Sequence, residues 1–187
     1  MSDASRPLRA DAARNRARVL EVAYDTFAAE GLSVPIDEIA RRAGVGAGTV
    51  YRHFPTKDDL FRAVVEDRIN RIVEEGRAVA QGEDPADGLF LFLRSVVLQW
   101  GATDQGLKEA LAGSGVHIEA VKEETEESFL GVLADLLEKA QRGGTARDDL
   151  DVRDVKAILA GCFAIQAASP DSAGRLVDVV LQGLRPT

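Results

Sequence analysis

Few side chains in this chain are suited to covalent or metal chemistry. There are two histidines, His53 and His117, and one cysteine. Cys162 lies in the apolar stretch "AILAGCFAI", where it has no second thiol and no metal-ligand spacing, and it reads as a small buried hydrophobe. No phosphate-cradling glycine motif and no paired ligand spacing occurs, so no catalytic residue, metal or cofactor is expected. The densest chemistry lies in "GVGAGTVYRHFPTKDDL", residues 44–60. Small residues are followed there by a hydroxyl, a phenol, a guanidinium and an imidazole. Such a set makes noncovalent contacts, and its small residues suit a short helix lying against something large and flat.

Positioning these groups falls to helices, because helical periodicity dominates and strand alternation is not sustained. A first helix over 11–30 carries Val19, Ala23 and Phe27 inward and closes at Gly31. A second starts at Pro35, with Ile36, Ile39, Ala40 and Ala43 on one face, and ends at Gly44. A third covers 47–54 and stops at Pro55. Thr56 and Asp59 form a capping-box-like start for a fourth, through about Gln81. Beyond the "GEDP" turn, "GLFLFLRSVVLQW" is apolar almost all round and reads as a central buried helix. A short helix near 106–112, a loop "GSG" at 113–115, a long helix over 118–142, one capped by Asp151 to Ala168 and one from "SPDS" to Gly183 complete about nine. The expected fold is all-α: a basic flexible arm (1–10), a helix-turn-helix domain (11–56) and a helical bundle (57–187).

The second and third helices meet at "GVG" as in a helix-turn-helix. Ala40 and Ala43 permit a steep crossing, Gly44 the tight turn, and Val45 plugs the corner. With Val50 and Phe54 inward, Ala47, Gly48, Thr49, Tyr51 and Arg52 are left outward, as a helix entering the major groove of DNA requires. Net charge is −8, but residues 1–62 carry ten Lys and Arg against nine Asp and Glu while the remainder is strongly acidic. That asymmetry suits one domain for a polyanion and another for something else. No apolar run reaches spanning length, no secretory signal is present, and a cytoplasmic protein without a membrane partner is expected.

The stretch "VLEVAYDTFAAEGLSVPIDEIARRAGVGAGTVYRHFPTKDDLFRAVV", 19–65, resembles the DNA-binding region of TetR-family transcriptional regulators. "GLKEAL" and the final "GLR" are similar to the subgroup with SbtR-like C-terminal domains. The resemblance implies a homodimer on a near-palindromic operator, repressing until a small-molecule effector enters the C-terminal bundle; activation is the alternative. It places Thr49, Tyr51 and Arg52 on bases or phosphates, and His53 and Lys57 on the flanking backbone. Gly46 and Ala47 stand where the family often has a hydroxyl and a base, and Val34 and Pro35 lack the usual capping hydroxyls. Affinity is therefore expected to lean on Arg41, Arg42 and the arm residues Arg6, Arg9 and Arg14.

Residue types in the bundle suggest two further sites. Phe92, Gln99, Trp100, Phe129, Cys162 and Gln166 are candidates for an effector pocket, against plain core packing. Ala157, Gly161, Ala164 and Ala168 form a stripe of small residues that Leu176, Val180 and Leu184 can join. Two copies would make a four-helix dimer seam, against burial within one subunit. A helical enzyme with an incidental αα-corner and an acidic protein-binding adaptor are the competing classes. The acid run "EAVKEETEES", 119–128, reads as a solvated helix face, and His117 as a surface or packed histidine.

Overall fold

A computed structural model describes residues 5–82, 85–100 and 123–186. Every regular element among them is helical, with eight α-helices, one π-turn and one 3-10 turn. They are α1 (Ser5–Glu30), α2 (Ile36–Ala43), α3 (Ala47–His53), α4 (Lys57–Ala80), α5 (Pro85–Ser95), α6 (Glu123–Arg142), α7 (Val152–Ala168) and α8 (Ala173–Gln182). The helix expected at 106–112, the "GSG" loop, His117 and the first residues of the acid run lie outside the described residues.

The chain forms two units divided within α4, between Asp67 and Arg68. In the first, α1 begins at Ser5 rather than Asp11, so residues 5–10 of the expected arm are helical. "SRPLRADAAR" favours this, with proline near the start and alanine and arginine following. Val19, Leu20, Ala23 and Phe27 of α1 pack with Ile36, Ile39, Val50, Phe54, Leu60, Phe61 and Val64 into one core. The Phe27 and Phe61 rings meet edge to face at 5.7 Å.

Gly31 and Gly44 adopt φ of 73° and 65°, left-handed values at which a Cβ is strained. At Gly44 this lets the N–H of Val45 donate to Ala40 O at 3.0 Å, which closes α2 and aims α3. The Thr56 backbone N–H donates to Asp59 Oδ2 and the Asp59 N–H to Thr56 Oγ1, both at 3.1 Å. This reciprocal cap starts α4 after Pro55.

The second unit is mainly aliphatic. Ile72, Val73 and Ala80 of α4 join Leu89, Phe92 and Leu93 of α5, Leu133, Leu136 and Leu137 of α6, and Val155 and Leu159 of α7. The stretch after "GEDP" is not buried all round, since Leu91 is 63% exposed, and the helix passes into a π-turn at Val96–Trp100. Gly76 is the close-approach point of α4: a Cβ there would run into Val132 and come within 2.9 Å of Phe92. Asp151 caps α7, accepting from the backbone N–H of Arg153 and Asp154 at 2.7 and 3.0 Å while its own N–H donates to Asp154 Oδ2.

Candidate nucleic-acid interface

Helix α3 hangs from two buried side chains. Val50 is fully buried and Phe54 nearly so, while Tyr51 is 42% exposed, and Arg52, His53 and Gly48 are exposed. Thr49 is half-buried, and Ala47 packs partly against the first core rather than standing clear of it. The outward face is therefore Gly48, Tyr51, Arg52 and His53, with Thr49 at its edge. Burial, the charge of Asp37 and a hydrogen bond donated to that carboxylate raise the pKa of the Tyr51 hydroxyl. It stays neutral near pH 7, able to contact base edges or phosphates without adding negative charge.

Arg41 and Arg42 are already engaged. Arg41 donates twice to Glu38 at 2.7 Å. Arg42 donates to the same carboxylate at 2.8 Å and also to Glu30 at the end of α1. Hydrogen bonds from both guanidiniums hold Glu38 at a pKa of about 2. Lys57 donates its ammonium to Leu32 O at 2.7 Å, bracing the α1–α2 loop while retaining two more donors. Arg14 is paired with Asp11. Arg6 and Arg9 fall in the first turns of α1, where side chains are outside the described set.

Asn15 and Arg16 do not stand out in the sequence. They line a narrow crevice with Val19, Val45, Thr49, Val50, His53 and Phe54. The Arg16 guanidinium lies 5.6 Å from the centroid of Phe54, a cation–π distance. Glu38 was readable, since its spacing of three and four from Arg41 and Arg42 is that of helical ion pairs. Arg16 and Glu30 were not, because their partners come from other helices.

In the second unit Phe92, Cys162 and Gln166 are buried and Phe129 is half-buried against the core. The Gln99 and Trp100 side chains lie outside the described set. Burial raises the pKa of the Cys162 thiol. Ala157, Gly161, Ala164 and Ala168 are all exposed, and Leu176 and Val180 half-exposed. A Cβ on Gly161 would meet nothing within 4 Å, so the stripe is open rather than packed within the subunit. Leu184 departs from the expected seam: it is 2% exposed, inside the second core. The turn that follows α8 carries it inward, where its carbonyl accepts from Arg147 N at 2.9 Å. No helix among the described residues is long and apolar enough to cross a membrane.

Residues 19–64 match the family model for bacterial regulatory proteins of the tetR family. Residues 84–186 match that for the SbtR-like transcriptional regulator C-terminal domain. The TetR transcription regulatory protein from Mycobacterium vanbaalenii is 55% identical, covering 96% of this chain and 100% of that one, at a TM-score of 0.79. The TetR transcriptional regulator SCO0520 from Streptomyces coelicolor is 31% identical over 92% of this chain and 99% of its own, at 0.74. The HTH-type transcriptional regulator SAB2452 from Staphylococcus aureus is 36% identical over 73 residues, which span only 40% of that protein's length. Regulators of this family bind operator DNA, form dimers and bind small-molecule ligands. The outward polar face of α3, the left-handed Gly44 turn and these full-length likenesses lead to one assignment: the chain belongs to the TetR family of ligand-responsive, DNA-binding transcriptional regulators, with an SbtR-like C-terminal domain.

Proposed function

We propose that this chain acts in the cytoplasm as a homodimeric repressor that holds a near-palindromic operator until a small molecule enters its second unit. One observation carries the reading: α3 presents Tyr51 and Arg52 outward while Val50 and Phe54 anchor it from behind. Tyr51, Arg52 and Thr49 contact bases or phosphates; His53, Lys57 and the Gly48 backbone hold the flanking strand, with Ala47 allowing close approach. Arg41 and Arg42 join only by exchanging Glu38 and Glu30 for phosphate, so their share of the affinity is small. Arg16 is better placed to add a phosphate contact, beside Thr49 and His53.

Dimerisation runs through the open stripe Ala157, Gly161, Ala164 and Ala168 with Leu176 and Val180. Val179, 64% exposed on α8, widens its apolar area. A seam of small residues lets two copies approach closely.

The test is operator binding by Arg52→Ala and Tyr51→Ala. Each should cost about 1–3 kcal/mol if it reads a base, with the unfolding midpoint unchanged. Wild-type affinity in both variants would remove α3 from the groove. Repression is checked separately, by transcription from the bound promoter with and without the protein; a rise on adding the protein would make it an activator.

A further inference from the structure

The buried face of α7 ends on a polar group. Val155, Leu159, Cys162 and Gln166 are its buried residues, at the i, i+4, i+7, i+11 spacing of one helical stripe. Gln166 is only 5% exposed, yet its Oε1 has no hydrogen-bond partner among the described residues. An acceptor buried without a donor is costly and calls for a reason.

Its surroundings contain an irregularity of their own. The π-turn Val96–Trp100 packs against both α7 and α8. Leu98 Cδ1 comes within 3.9 Å of where a Cβ on Gly174 would stand, which puts the turn beside the α7–α8 corner, near the Gln166 end of α7. Such π-turns recur at functional sites. Val96 and Val97 are buried, and Cys162, one turn before Gln166, carries a thiol that burial keeps protonated. Arg94, whose Nη2 comes within 3.8 Å of where that Cβ would stand, is exposed and spends its Nε on Asp178 at 2.8 Å.

We propose that Gln166 is the polar anchor of the effector site: its amide oxygen accepts a hydrogen bond from a hydroxyl or amide N–H of an uncharged, largely apolar molecule lodged beside the π-turn. The proposal rests on the ligand-responsive reading above and names the class of ligand. An anionic group would face the lone pairs of Oε1, and an unpaired charge among these aliphatic side chains would be expensive. A neutral donor satisfies the orphan acceptor and leaves the apolar lining in place. The open groove of about 410 Å³ that Arg147 and Arg185 line lacks this unmet demand, because those arginines already pair with Asp149 and Asp87.

The test compares 1-decanol with methyl nonyl ether, which has the same heavy-atom count and no donor. Calorimetric titration of the full chain should show decanol binding roughly tenfold tighter, as one buried hydrogen bond allows. Gln166→Met, close in volume, should bind the two alike and, without ligand, should unfold at a higher temperature than the wild type. Equal affinity of the wild type for both compounds, no binding of either, or a preference retained in Gln166→Met would overturn the anchor. So would a lower unfolding temperature in that variant, which would make the amide structural. Operator binding by the wild type is measured in parallel: its absence sinks the regulator reading, whereas its presence beside any of the failures above sinks only the anchor.

Discussion

The two units bury apolar helices by the same means and leave different things unfinished. In the first, a core with the Phe27–Phe61 pair at its centre closes around short helices. What remains outside is a polar face whose groups are neutral or cationic, or are paired with carboxylates. In the second, the aliphatic core contains an amide oxygen without a partner among the described residues, α5 passes into a π-turn, and α7 exposes a stripe of small residues. A module that reads a rigid surface works through its exterior and gains from a closed core. A module that must accept a guest and a second subunit keeps a gap in its satisfaction and an open seam.

That contrast breaks if the first core tolerates loss. Phe27→Ala removes a fully buried ring and its edge-to-face partner contact, and should cost about 3–5 kcal/mol in denaturant unfolding. A cost under about 1 kcal/mol would mean that the core is looser than its burial says. The second unit is probed by Gly76→Ala, which adds a methyl where α4 meets Val132 and Phe92. Overpacking there should destabilise by about 1–3 kcal/mol, partly offset by the helix preference of alanine. A net gain in stability would show that α4 shifts at that contact without penalty.

The smallest effect belongs to the surface network. Glu38, held at a pKa of about 2 against the ordinary 4.5, is more acidic folded than unfolded. Its contribution is therefore complete above about pH 4.5 and is lost as pH falls toward 2. Because its carboxylate is solvent-accessible, the contribution is modest. Acid unfolding of Glu38→Gln should show a shallower loss of stability across that window than the wild type. Superimposable curves would mean that the two arginines gain nothing from Glu38 in solution.

Much of this molecule was determined by local order along the chain. The glycine stops at Gly31 and Gly44, the caps at Thr56 and Asp151, and the inward Val50 and Phe54 follow from spacing, since each concerns neighbours within about one helical turn. The reading face of α3 was legible for the same reason: once two inward residues are known, a seven-residue helix has one outward side. Tertiary structure alone decided what lay between elements. Glu30 reaches Arg42 across twelve positions, and Lys57 is drawn to Leu32 across twenty-five. Leu184, by its pattern a seam residue, is turned into the core. Leu91 stands exposed in a stretch whose composition is apolar almost throughout. Composition marks a residue as suited to burial, but which side of a helix finds a neighbour depends on helices distant in sequence. The orphan oxygen of Gln166 is the plainest instance: a glutamine's chemistry is written in the chain, and the absence of a partner for it arises only when α7 is packed.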